Sequence, residues 1–517
     1  MNRGHATGFA ATCFAFAAFS APVFAQKSAD TLRIPLNDPI QAISYYLDPK
    51  TETILTSDAV YDTLIGYDEE KQTYQPLLAK SWKRIDDKTI EFELRDDVKW
   101  HDGKPFTADD VVYTMEWLTD PKTLLRFKSY WEWIDKAEKL GPYTVRISAK
   151  QPTPFDLARY AFLTTIVSKH AHGAAPDKMV YGRKPIGTSM YRAVYVDPQR
   201  GIELVRNPDY KHGGAVKPAS NIGKILFRQI PDPGTRIAEF MSGGVEMLPR
   251  DTPLEQALEL GKMPGKTITA GQGTYYNYIA INATGRAGLE PLTKLDVRRA
   301  MMMAIDRDAL LPLAVGPFKH LPRPESMCWR IQAGCDYSIP LPKFDPEGAK
   351  KLLAQAGYPN GFDLVVSTFT NEGIRSVAEA VMGQWRKIGI RGTLEPMTLG
   401  AYRKKQAEGK LHVFAGGWPG GGMPDITGTI GFLYDVQPQT DYHNDAELKK
   451  LAVEVDTIVD PDKRKAIGRR IFDIGLERGY FMPTTPGPAI VVHSNDLRVK
   501  SGTLRGQGID VWNINWK

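Results

Sequence analysis

The residues able to do chemistry are scattered through this chain. Nine histidines occur among 517 residues, with no His-Glu-x-x-His pair on a helix to hold zinc, no Gly-x-Ser-x-Gly turn to expose a nucleophile, and no Gly-x-x-x-x-Gly-Lys-Ser/Thr loop to cradle a phosphate. His170 and His172 flank one alanine and could chelate a metal ion, but a polar loop is the preferred reading. His101 stands in His101-Asp102-Gly103, a turn sequence, which points to a turn or surface role. The run Gly416-Gly417-Trp418-Pro419-Gly420-Gly421-Gly422 has the glycines of an anion cradle but no capped, lysine-bearing helix after it, and is read as a crossing of the chain. Cys328 and Cys335 share a short loop containing proline and glycine. In an exported chain the expectation is a disulfide between them, with two buried thiols as the alternative. No catalytic set, metal site or cofactor is expected.

The elements around these residues are clearest over 79–115. Ile90, Phe92 and Leu94 alternate with Glu91, Glu93 and Arg95, the period of a half-buried strand. Val98 and Trp100 extend the alternation into a second strand, and His101-Asp102-Gly103 turns the chain at its end. Thr107 with Asp110 forms a variant capping box, opening a helix from Val111 that stops before Pro121. Further strands are expected at 32–36, 143–147, 202–206, 225–230, 364–367 and 413–416. Helices are expected at about 57–64, 155–162, 345–357, 376–387 and 460–476, the last opened by Asp460-Pro461.

The stretch Ala79-Lys-Ser-Trp82, then Thr89-Ile-Glu-Phe-Glu-Leu-Arg95, then Val98-Lys-Trp-His-Asp-Gly-Lys-Pro-Phe-Thr-Ala-Asp-Asp-Val111 resembles the family 5 extracellular solute-binding proteins, the peptide, nickel and opine receptors of ABC importers. The resemblance extends over 32–517. It includes Leu47-Asp48-Pro49, an early loop at the family's cleft, and Pro185-Ile186-Gly187-Thr188, where the chain returns to its first lobe; Ser189-Met190-Tyr191 replaces the usual Gly-Pro-Tyr. It implies a two-lobed α/β receptor with a hinge and an extra inserted subdomain, which captures a peptide or peptide-like solute for a membrane permease and its ATPase. Lobe I is expected at 26–70, 186–283 and 487–517, the inserted subdomain at 71–185, and lobe II at 284–486.

The resemblance also places the cleft. Family receptors hold a peptide ammonium with an Asp three residues after the tryptophan, and here Gly421 stands there, while Asp425 follows Met423-Pro424. The Arg that grips a peptide carboxylate in close dipeptide receptors is replaced by Thr368, with Thr370 and Asn371 just beyond. Both charged anchors are therefore missing, which disfavours a simple free dipeptide because charge-pairing sites discriminate strongly. Gly417, Trp418, Gly421 and Asp425 on one side, and Tyr45 and Tyr46 on the other, complete the candidate ligand contacts. The alternative is that both tyrosines are core residues and Asp425 caps the next turn.

Bulk properties agree with an exported soluble protein. The chain is long enough for two or more lobes, is 42% hydrophobic and 24% charged, and its net charge of +6 is diffuse, so no nucleic-acid partner is expected. Arg3, the apolar run 8–19 and Val23-Phe24-Ala25 read as a signal peptide over 1–25, cleaved after Ala25, which removes Cys13. The expected product is periplasmic and monomeric. Alternatives are a receptor for an opine-like compound, metal chelate or other polar metabolite, a secreted hydrolase with paired carboxylates in the cleft, and a chaperone or haem-binding protein.

Overall fold

The computed structural model describes Met1 and residues 30–248, 252–369, 371–434, 441–502, 504 and 508–517. The export segment with its cleavage point, and Thr370, lie outside them.

Alternation builds three main sheets. Thr31–Leu36 pairs in parallel with Lys224–Gln229, and Gly201–Arg206 and Tyr191–Asp197 continue the sheet antiparallel. Ala79–Asp86, Thr89–Leu94, Thr144–Ala149 and Ile134–Gly141 form a second sheet, antiparallel throughout. Ile90, Phe92 and Leu94 all point into the core from its centre. The third sheet runs Arg391–Met397, Asp363–Phe369, Val413–Trp418, Tyr276–Ile281, Phe481–Pro486, with its first three strands parallel. Two segments link the third sheet to a two-stranded ribbon of Lys266–Gly271 and Ala489–Ser494: the chain just before Tyr276 and the chain just after Pro486. The first two sheets share one apolar core, and the third packs on two others.

Several local expectations change in context. The second strand at Val98 and Trp100 is a tight hairpin with one bridge, Lys99 to Pro105, because Trp100 N bonds Lys104 O after only three intervening residues. The capped helix is Ala108–Thr119, begun three residues early, with Thr107 N donating to Asp110 Oδ2 at 3.0 Å. The helix expected at 57–64 is Thr51–Val60. It ends early because the Asp62 carboxylate, fully buried, is drawn to Lys217 Nζ, His212 Nε2 and Thr188 Oγ1, which leaves Tyr61 extended. Gly187 is required beside this helix end: a Cβ there would lie 1.8 Å from Val60 O.

His101 does occupy its turn but is not on the surface. Its Nε2 lies 2.9 Å from Ser189 O, its Nδ1 accepts from Gly187 N, and burial holds its pKa down to about 4. His170 contacts Asp102, and His172 is buried against Tyr113. Among the described residues no helix is long and apolar enough to cross a membrane, and no cluster of His, Cys, Asp and Glu could hold a metal ion.

Candidate functional site

The third sheet ends its parallel strands at one edge, where Val413–Trp418 runs into the glycine run. Its neighbour across the ladder is the crossing strand, with Tyr276 opposite Trp418 and Asn277 opposite Gly417. The Tyr275 ring fills the space this creates. A Cβ on Gly417 would lie 1.9 Å from Tyr275 Oη, and one on Gly487, in the second crossing, 1.9 Å from the same ring. Glycine is needed at both places so that an aromatic ring can sit between the two crossings. No periodicity marked Tyr275.

Trp418 stacks flat on Phe432, with ring centroids 3.8 Å apart and 1° between planes, and its buried Nε1 has no hydrogen-bond partner. Phe432 is 41% exposed, so the pair forms an apolar wall with one open face. Gly421 lies in the one-turn helix Gly420–Gly422 immediately after. Asn371 accepts from Ile374 N and so caps the helix Glu372–Arg386; with Tyr275, Asn277 and Gly487 it also lines a cavity of about 160 Å³. Thr368 is fully buried within its strand, and its Oγ1 has no partner among the described residues.

The glycine run is held from behind by the cysteine loop. Cys328 and Cys335 are joined, Cα to Cα 5.9 Å. From within this loop Trp329 Nε1 donates to Thr274 O at 2.7 Å, Gln332 Nε2 to Gly420 O and Asp425 O, and Ala333 N to Pro424 O at 2.7 Å. Protein starting at Gln26 should therefore show no free thiol when titrated unreduced in denaturant. Closing so short a loop restricts the unfolded chain, so reduction should lower stability by about 2–3 kcal/mol. Two reactive thiols in the unreduced protein would contradict this.

The charges beside the glycine run are paired inside the protein. Asp425 is 2% exposed and Arg464 4%. Arg464 Nη1 and Nη2 donate to the two Asp425 oxygens at 2.8 and 2.7 Å, and Thr427 N donates to Asp425 Oδ1 at 2.8 Å. Both carboxylate oxygens are thus engaged inside the protein, and Asp425 fixes the turn into the helix Thr427–Leu433. Beside it, Thr427 Oγ1 donates to Asp456 at 3.1 Å. Burial raises the Asp456 carboxyl to about 7; Arg464 opposes the rise and Asp425 adds to it. The helix opened by Asp460-Pro461 was legible, but not that its first turn aims Arg464 at Asp425.

Tyr46 is a core residue: it is 3% exposed, its hydroxyl donates to Thr165 O at 2.5 Å, and Trp117 and Trp131 stand edge-on to its ring. Tyr45 is half-buried and meets Tyr46 and Trp131 edge-on. Met423 belongs to the same apolar core, and Ile331 packs against it, so the braced loop reaches the core shared by the first two sheets.

Residues 73–439 match the model of the bacterial extracellular solute-binding proteins, family 5 middle. The chain is 28% identical over 404 residues to heme-binding protein A of Haemophilus influenzae, covering 72% of this chain and 71% of that one. It is 28% identical over 419 residues to the glutathione-binding protein GsiB of Pectobacterium atrosepticum, covering 77% and 76%. Its fold superposes, with a TM-score of 0.72 and 22% identity, on the periplasmic binding protein DppA of Helicobacter pylori in complex with the peptide STSA, covering 94% of this chain and 98% of that one.

Proposed function

We propose, from the premise that this chain belongs to family 5 of the bacterial extracellular solute-binding proteins, that it captures a peptide-like solute in the periplasm and hands it to an ABC permease and its ATPase. The family match over 73–439 carries this reading. The glutathione-binding and peptide-bound relatives support the peptide-like part. The protein is exported by a signal peptide over 1–25, acts as a monomer and catalyses no reaction. Lobe I comprises 26–70, 186–283 and 487–517, the inserted subdomain 71–185, and lobe II 284–486; closure about the two crossings encloses the solute. Tyr45, Asn371, Gly417, Trp418 and Gly421 contact it, and Thr370, outside the described residues, is assigned to the same set from the sequence alone. Tyr46, Thr368 and Asp425 act behind them, by packing and by holding the turn.

A second reading is favoured by the Asp425–Arg464 pair. With its carboxylate engaged, Asp425 offers no partner for a peptide ammonium, which suits an opine-like compound or metal chelate. Mass spectrometry of what co-purifies with natively exported protein tests both. The recovered solute should bind saturably, return unchanged, and at a hundredfold excess over its Kd stabilise the protein by roughly 2.7 kcal/mol. Steady conversion to product, abolished by one side-chain change, would overturn the receptor reading.

A further inference from the structure

Arg159 is a buried cation with no counter-ion among the described residues. It lies on the helix Asp156–Phe162 and is 8% exposed. Its guanidinium packs over the rings of Tyr130 and Phe155, 4.6 and 5.1 Å from their centroids, and Nη1 donates to Tyr130 O at 3.0 Å. Nε is buried and has no hydrogen-bond partner. Among the described residues no carboxylate comes within ion-pair distance of it. A guanidinium kept out of water without a counter-charge is costly, and a fold retains one most readily where something else supplies the charge.

The surroundings say where that charge would come from. The groups acting electrostatically on Arg159 include Tyr130 and Tyr45, then Asp456 and Asp425 from far along the chain. Asp425 is already neutralised by two hydrogen bonds from Arg464. Asp456 shares the Thr427 hydroxyl, and burial keeps it partly protonated near neutrality. Neither acid is a full counter-ion, so Arg159 keeps unspent positive charge near the half-buried Tyr45.

Resting on the receptor reading above, we propose that Arg159 is the anchor for a carboxylate of the bound solute, held between the inserted subdomain and the Asp425–Arg464–Asp456 cluster. The charged anchor missing at Thr368 is thus supplied from the other side of the cleft. Guanidinium matches carboxylate with two parallel hydrogen bonds, and Nε has no partner among the described residues to compete with a ligand for it.

The test uses calorimetry on the mature protein with two probe pairs, glutathione against its diethyl ester and Ser-Thr-Ser-Ala against its C-terminal amide. Wild type should bind the acid of at least one pair roughly 30-fold or more tighter than its neutral counterpart. Arg159→Gln should lose that preference, and Arg159→Lys should recover part of it. Without ligand, Arg159→Met should melt at the same temperature as wild type or higher, because an unpaired buried charge has been removed; a structural arginine would give the opposite. Acid and neutral probes binding wild type equally, an acid preference surviving in Arg159→Gln, or a lower melting point for unliganded Arg159→Met would overturn the Arg159 assignment alone. Failure of every probe to bind wild type would overturn the peptide-like reading, and this proposal with it.

Discussion

Arg464→Met is expected to lower the free energy of unfolding by about 3–5 kcal/mol, the usual consequence of leaving one member of a buried ion pair alone. The Asp425 carboxylate would keep the Thr427 N–H but lose both guanidinium bonds, at a site almost without solvent. Arg464 also donates from Nε to Val455 O and from Nη2 to Thr427 Oγ1, so its loss frees a second stretch of backbone and the helix start after Asp425. Arg464→Lys should recover little, because a single ammonium cannot satisfy two carboxylate oxygens and two further acceptors in one plane. The double variant Asp425→Asn/Arg464→Met should regain more than half the loss, since the cost lies in the unpaired charge rather than in the absent pair. Urea denaturation at pH 7 of the three variants measures this. A loss below about 1 kcal/mol for Arg464→Met, the scale of an exposed pair, would show that the pair does not hold the turn.

The second large effect is expected at Asp62, just past the end of the first helix. Its carboxylate receives Lys217 Nζ at 2.7 Å and Thr188 Oγ1 at 2.9 Å, lies 2.9 Å from His212 Nε2, and Lys217 also donates to Tyr61 O at 2.8 Å. One side chain therefore ties together the end of the first helix, the return segment at Gly187-Thr188 and the loop carrying His212 and Lys217. Asp62→Ala should cost about 3–5 kcal/mol, because Lys217 would be left charged and buried. The pH dependence has a definite sign. Burial pushes the Asp62 carboxyl up, but Lys217 and His212 outweigh it and hold the group well below the usual carboxylate range. Its contribution is therefore present above the unfolded-state value of about 3.9 and is lost as pH falls below that. Thermal unfolding from about pH 6 down to about pH 2 should show a steeper loss for wild type than for Asp62→Asn. Parallel curves would mean that other carboxylates govern the acid response.

Features that are local or repeated could be read from the chain alone. Alternation at Ile90, Phe92 and Leu94 specifies which face of the strand enters the core, because side chains in a strand change sides at every residue. Asp345-Pro346 and Asp460-Pro461 open helices where expected, since cap and first turn are set by neighbours in the chain. The long motif at 79–111 was enough to indicate the family. The partners of the buried charges, by contrast, came from the folded arrangement. Asp62 and Lys217 are separated by 155 residues and Asp425 and Arg464 by 39, and no spacing rule connects them. The same limit explains the first helix, whose end is drawn away by Asp62 contacts that lie far along the chain. It also explains Asp425, Tyr46 and Arg159: residue type shows that a side chain can carry a charge or a ring, but whether it meets solvent, a neighbour or a ligand depends on which surfaces the two lobes bring together.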